Sequence, residues 1–242
     1  MHGPSSGIEV AAHRGASADA PEHTWAAYEL ALAVGADVLE LDLRATADGE
    51  LVVLHDPTLA RTVGDPRRVD AVTLAELGAL AAARRPLPLD AVLARYGHRT
   101  RFLLELKEPQ PPMEARLVEA VAAAGIRDRV VVQSFDEPGL RRVRALDPEL
   151  RLAPLYRLEP RARLLSRLDA VAAYACAVGL HHRTVDAVIV RRAHDLGLRV
   201  RAYTVNAPAE ALRLVELGVD GLITDAPGRV SAALRPVVAA AA

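Results

Sequence analysis

Cysteine is almost absent from this chain: Cys176 stands alone among 242 residues. A single thiol excludes an intrachain disulfide and a thiolate metal cluster within one chain, and it reads as a small buried residue. Aromatic residues are scarce as well, at 3% of the chain against 51% hydrophobic residues in total. The core must therefore be built from Leu, Val, Ala and Ile, a composition that suits buried parallel strands and argues against disorder. Charge of one sign is also lacking. The 30 basic and 31 acidic residues leave a net charge of -1, so nucleic acid and acidic membrane surfaces are not expected partners, and any anion must be bound locally. No apolar run approaches the roughly 18 residues of a membrane span, and Met1 to Gly7 carries no apolar stretch after a charged start. The expectation is a cytoplasmic protein without stable membrane association. The closing Val237 to Ala242 reads as a frayed tail.

What is present is a regular alternation. From Ile8 onward, short apolar runs alternate with amphipathic segments, the pattern of parallel strands joined by helices. Eight strands are predicted: Glu9 to His13, Val38 to Leu43, Phe102 to Lys107, Val130 to Ser134, Leu152 to Tyr156, Cys176 to Leu180, Arg199 to Thr204 and Gly221 to Thr224. Apolar residues at helical spacing mark Thr24 to Val34, Met113 to Ala124, Glu137 to Leu146, Val185 to Leu196 and Ala209 to Leu217. Gly35, Gly125, Gly197 and Gly218 follow four of these as helix stops. The length and the eight predicted strands, most of them joined by helices, predict one α/β domain over residues 8–235, a TIM (β/α)8 barrel. Between about Thr46 and Thr100 one step is far longer than the others. Its Asp48-Gly49 turn, apolar Leu51 to Leu54 run and prolines predict a hairpin arm and small helices packed over the barrel mouth, with too few apolar positions for a core of their own.

Three of the predicted strands end in ionisable residues. In Leu39-Glu40-Leu41-Asp42-Leu43 the two carboxylates project to one face and the leucines to the other, and Glu105 and Lys107 repeat this in Leu103 to Lys107. Carboxylates in apolar strands are costly unless they hold a cation, pair with one, or face a wet cavity. One reading is a structural ion cluster, Glu105 with Lys107 and Asp42 with Arg44. The other is a site, because His13, Glu40, Asp42, Glu105 and Lys107 all fall at the C-terminal strand ends where barrel enzymes place their chemistry.

Three carboxylates without cysteine form an oxygen site suited to Mg²⁺ or Ca²⁺ rather than zinc. Arg14 and Lys107 add positive charge beside them, which makes a phosphate ester the natural small-molecule substrate. Cleaving a phosphodiester needs a proton acceptor and a donor. His13 is the first candidate and His55, ending the arm's apolar run, is the second. His181 and His182 follow the sixth strand and are further candidates to touch substrate, while His2, His98 and His194 read as solvated.

The motifs Ala12-His13-Arg14-Gly15-Ala16, Pro21-Glu22-His23-Thr24, Gly35 to Asp42, Asp48-Gly49, His55-Asp56, Leu104 to Lys107, Gln133-Ser134-Phe135, Thr204-Val205-Asn206 and Gly218 to Asp225 occur in the order found in glycerophosphodiester phosphodiesterases, which the chain resembles over nearly its whole length. The resemblance implies that His13 and His55 are the acid/base pair, that Glu40, Asp42 and Glu105 ligate a divalent cation, and that Arg14 and Lys107 hold the phosphate. It also implies cleavage of glycerophosphodiesters to sn-glycerol 3-phosphate and an alcohol. His23 stands where the family usually has Asn, a position read as holding the loop after the first strand, and Tyr203 stands where many members have Trp, beside the glycerol or headgroup end of the pocket. Glu22 matches the family and is held as a supporting residue. Two other readings stay open: a lysophospholipase D-like activity on lysophospholipids, and a barrel that binds phosphodiesters without turning them over.

Overall fold

A computed structural model describes residues 7–80, 84–109 and 111–241. Among the described residues ten strands are formed: β1 (Glu9–His13), β2 (Val38–Ala45), β3 (Leu51–Val53), β4 (Leu87–Pro88), β5 (Arg101–Leu106), β6 (Val130–Ser134), β7 (Arg151–Tyr156), β8 (Ala177–His181), β9 (Arg199–Tyr203) and β10 (Gly221–Thr224). Eight of them pair in parallel in the order β1-β10-β9-β8-β7-β6-β5-β2, and a β1–β2 pairing closes the ring. Of the remaining two, β3 adds antiparallel to β2 and β4 antiparallel to β3. This is the (β/α)8 barrel expected from the alternation.

Three layers of side chains fill the barrel, because alternate residues of each strand point inward. At the N-terminal end Glu9 of β1 is bonded to Arg201 of β9 at 2.7 Å and to Arg101 of β5 at 2.9 Å. Gly221 of β10 leaves the room that the Arg201 stem occupies, since a Cβ there would stand 3.3 Å from Arg201 Cγ. The middle layer is apolar and mostly small: Ala11, Val38, Leu103, Val131, Ala153, Ala177 and Ile223, one from each of seven strands. Above it, toward the C-terminal ends of the strands, stand His13, Glu40, Asp42, Glu105 and Tyr203. Outward residues such as Leu39, Leu41 and Leu43 are fully buried under the helices.

The helices are α1 (Trp25–Ala33), α2 (Ala60–Val63), α3 (Leu74–Ala79), α4 (Leu89–Tyr96), α5 (Met113–Ala123), α6 (Glu137–Leu146), α7 (Arg161–Ala172), α8 (Ala187–Asp195), α9 (Pro208–Glu216) and α10 (Pro227–Ala241). Five coincide with the predicted ones, started by side-chain caps from Thr24, Asp136 and Asp186 at α1, α6 and α8. Helix α7 was not anticipated, although Leu164, Leu168 and Val171 lie on its buried face. Helix α10 runs through Ala241, so the expected frayed tail instead continues a helix as far as the described residues go.

The long step contains the predicted hairpin, as β2 with β3, then α2, α3, β4 and α4. Contrary to the sequence reading, this arm buries a small cluster of its own: Val52, Leu54, Leu59, Val69, Val72 and Leu77. The alternation of β3 explains it. Val52 faces that cluster, while Leu51 and Val53 join the main core.

Candidate active site

At the C-terminal end of the barrel the inward residues of β2 and β5 converge. Glu40, Asp42 and Glu105 each offer an oxygen within 4.8 Å of the others, and all three are buried. Register brings this about, since Asp42 lies directly beside Glu105 across the β2–β5 pairing. His13, Arg14, His55, Lys107 and Tyr203 line the same cavity, whose volume is about 450 Å³. Every residue singled out from the strand ends is therefore in one place.

The electrostatics of the triad are uneven. Burial, then the neighbouring charges of Asp42 and Glu105, push the Glu40 carboxyl well above the usual carboxylate range. Burial likewise pushes Glu105 up to about 7, helped by Asp42 and opposed by Lys107. Asp42 goes the other way: burial works against its charge, but the hydrogen bond from His23 and the cations Lys107 and Arg14 hold it well below the usual range. Lys107 Nζ lies 3.0 Å from Asp42 and 2.5 Å from Glu105. Even so, Asp42 Oδ1 and Glu105 Oε1 are buried oxygens that accept no well-directed hydrogen bond. Three buried carboxylates with an oxygen each within 4.8 Å of the others, faced by a single ammonium, form an all-oxygen donor set that fits a hard divalent cation. The alternative pairing of Asp42 with Arg44 is not formed. Arg44 instead donates to the His55 carbonyl at 2.9 Å and to Glu108 at 3.0 Å, tying the arm to the strand.

Each histidine has a carboxylate behind it. His13 Nδ1 lies 2.6 Å from Asp225 Oδ1, and His55 Nδ1 lies 2.7 Å from Asp56 Oδ1. A carboxylate at Nδ1 holds the proton there and leaves Nε2 as the exchanging atom. Asp225 is itself fixed by Asn206 at 2.6 Å and Ser17 at 3.1 Å. Burial opposes its charge, but the bonds from His13 and Asn206 bring its carboxyl down to about 2. Burial pushes His55 below the usual imidazole range, with Arg14 and Lys107 acting in the same direction.

Sequence reasoning gave Asp56 and Asp225 no role, although both were in view: one follows His55 directly, and the other ends the last strand, which the closed barrel places beside β1. Arg61 of α2 was also missed. Its guanidinium is bidentate to Glu22 at 2.7 and 2.8 Å, and its Nε donates to Asp56 at 2.6 Å. Gln133 of β6 donates to Glu40 at 3.2 Å.

The loop after β1 needs unusual backbone. Arg14 and His23 have φ of 60° and 54°. Gly15 between them has φ of 84°, and a Cβ there would come within 2.8 Å of Ala27. His23 tolerates the left-handed region better than most residues, as Asn does. Buried and held neutral by that burial, it accepts from the Tyr28 hydroxyl at 3.0 Å and donates to Asp42 at 3.1 Å. Arg14 Nε is 3.1 Å from Asp42, and its Nη1 is 3.4 Å from Glu22.

The candidates His181 and His182 do not line the cavity: His182 bonds Glu210 at 2.7 Å, and His181 accepts from the Arg183 backbone. His194 is exposed, as expected, and bonds Asp220 at 2.9 Å. His2 lies outside the described residues.

Residues 13–229 match the model of the glycerophosphoryl diester phosphodiesterase family. The chain belongs to that family. It is 32% identical over 246 residues to a glycerophosphodiester phosphodiesterase of Bacillus subtilis (strain 168), across 91% of this chain and 84% of that one. A glycerophosphodiester phosphodiesterase of Caldanaerobacter subterraneus is also 32% identical, across 90% of this chain and 94% of that one. Among solved structures, an Oleispira antarctica phosphodiesterase in complex with the product sn-glycerol-3-phosphate has a TM-score of 0.82 at 30% identity, covering 94% of this chain and 96% of that one. As a member of the family, the chain is a phosphoric diester hydrolase.

Proposed function

We propose that this protein hydrolyses glycerophosphodiesters to sn-glycerol 3-phosphate and an alcohol, using a divalent cation and two histidines. The observation that carries this reading is the placement of two carboxylate-backed histidines, His13 and His55, on one cavity with the buried triad Glu40, Asp42 and Glu105. The triad would hold Mg²⁺ or Ca²⁺, which when bound supplies charge to neutralise the phosphoryl oxygens as negative charge develops.

The chain's own groups do the rest. Arg14 and Lys107, both on the cavity wall, hold the phosphate. The Nε2 atoms of His13 and His55 supply one proton acceptor for the attacking nucleophile, either water or the neighbouring glycerol hydroxyl with water then opening the cyclic phosphate, and one donor for the leaving alcohol. Asp225 and Asp56 keep each imidazole in the tautomer that leaves Nε2 free. Tyr203 contributes its ring: its hydroxyl donates to the Tyr156 carbonyl at 2.7 Å and is thereby turned from the substrate.

A cavity of about 450 Å³ with many charged side chains suits a water-soluble diester better than a lysophospholipid, whose acyl chain needs an apolar approach. Among the described residues no helix is long and apolar enough to cross a membrane. The test is release of glycerol 3-phosphate from a panel of diesters with Mg²⁺, Ca²⁺, Mn²⁺ or chelator, using the wild type, His13→Ala and His55→Ala. Turnover that depends on the cation and drops at least a hundredfold in each variant supports the reading. Full activity in either variant, or activity on lysophospholipids alone, overturns it.

A further inference from the structure

Four cations line the active-site cavity, and three of them are already engaged. Arg14 faces Asp42 and Glu22, Lys107 faces Asp42 and Glu105, and Arg44 faces Glu108. The fourth, Arg157, follows the end of β7. Among the described residues it has no hydrogen-bond or ion-pair partner. What holds it is an aromatic face: its guanidinium carbon lies 4.5 Å from the centre of the Phe135 ring. Phe135 in turn meets Tyr203 edge to face, with centroids 5.9 Å apart at 88°.

This arrangement has a chemical sense. Resting on a ring engages the flat face of a guanidinium and leaves its N–H edge available. That edge is a planar fork suited to a carboxylate or a phosphate. The carboxylates nearest on the same wall, Asp136 and Glu108, are each engaged through one oxygen by a group other than Arg157. Asp136 caps α6 through the Gly139 N–H at 2.9 Å, and Glu108 is held by Arg44 at 3.0 Å. The Phe135 face that would otherwise receive an ammonium headgroup is covered by the Arg157 guanidinium, so a cationic alcohol meets repulsion where it would need a π surface.

Position assigns this corner to one part of the substrate. In the ring order β7 lies diametrically opposite β1, so Arg157 faces His13 across the barrel mouth, two strands from Glu105 of β5 and three from Glu40 and Asp42 of β2. It is also exposed, on the solvent side of the cavity, where the variable alcohol of a diester projects. We propose that Arg157, seated on Phe135, forms a subsite for an anionic group, a carboxylate or a phosphate, on the alcohol side of the phosphodiester. This rests on the proposed diesterase activity and adds the class of alcohol released.

Glycerophosphoserine and glycerophosphoethanolamine differ only by a carboxylate, so their ratio of kcat/KM isolates the contact. Wild type favours the serine diester by about fivefold, the scale of an ion pair at an exposed site. Arg157→Ala abolishes that preference by lowering turnover of the serine diester while leaving the ethanolamine diester unchanged or faster. Arg157→Lys retains part of it. A ratio that stays within twofold of wild type in Arg157→Ala, or an equal loss on both diesters, overturns the subsite while leaving the diesterase reading intact. Titration calorimetry of both diesters into His13→Ala/His55→Ala protein, with and without Arg157→Ala, reads the contact without turnover. Preference there, if the wild type hydrolyses neither diester, keeps the subsite and rejects the activity, and equal affinity rejects the subsite.

Discussion

His13 and Asp225 are 212 residues apart in sequence and 2.6 Å apart in space, because closure of the barrel sets β10 against β1. That contact makes His13 one of a matched pair with His55, each with a carboxylate at Nδ1. Asp225→Asn should keep the shape and lose the hold on the tautomer. The expected result is a kcat about 10- to 100-fold lower with KM little changed, the scale of a lost orienting partner. Asp56→Asn should act likewise on His55. Steady-state kinetics on one diester checks both, and a variant with wild-type kcat removes that carboxylate from the mechanism.

Arg61 carries a second relationship of this kind, since it joins Glu22 of the loop after β1 to Asp56 of the arm. Arg61→Met should leave His55 less well placed, lowering kcat about tenfold. Its contribution to stability should be small, about 1 kcal/mol or less, because the guanidinium is half exposed. Kinetics beside a denaturant melt separates the two effects. A stability loss of several kcal/mol with normal kcat in the surviving protein would mean that Arg61 only fastens the arm.

The barrel and most of the site were legible because both rest on period-two patterning. Glu40 and Asp42 share a face with no knowledge of tertiary structure, and the Leu residues between them declare the other face. What could not be read was contact between remote segments. Asp225 meets His13 through ring closure, and Arg61 meets Glu22 across the arm, relationships that no local spacing encodes. The arm's small core escaped notice because its apolar residues, Val52 to Leu77, are spread thinly over turns and short helices. His181 and His182 misled in the opposite sense. They follow a barrel strand at the catalytic end, yet His182 turns to Glu210 of α9.

Binding of the cation should strengthen as pH rises. Without it, burial and mutual repulsion raise Glu40 and Glu105, the latter to about 7, so both favour the protonated form. A carboxyl with a raised folded pKa binds its proton more tightly in the native state. The cation-free protein should therefore lose stability as pH climbs from the unfolded value near 4.5 through about 7. Ligation requires both carboxylates ionised, so the increase in Tm on adding Mg²⁺ or Ca²⁺ should be small at pH 5 and larger at pH 8. Glu105→Gln should flatten that dependence. An increase in Tm that does not vary with pH, or that survives Glu105→Gln unchanged, would exclude Glu105 as a ligand.

At the opposite end of the barrel, Glu9 and Arg201 test stability apart from chemistry. The pair is buried, Arg201 Nη1 has no hydrogen-bond partner, and the apolar middle layer separates both from the cavity. Burial opposes the charge on Glu9, but Arg201, and then Arg101, bring its carboxyl below the usual range, so the pair counts as charged at neutral pH. Removing one partner strands the other charge in a low-dielectric site. Glu9→Leu or Arg201→Met should each cost about 3–5 kcal/mol in denaturant unfolding. The double variant Glu9→Leu/Arg201→Met leaves no buried charge except that of Arg101, which is partly exposed and can turn to water. It should therefore recover much of the loss, with kcat unchanged throughout. Strict additivity of the two single losses would show that the pair is not coupled, and that Arg101 rather than Arg201 is the main partner of Glu9.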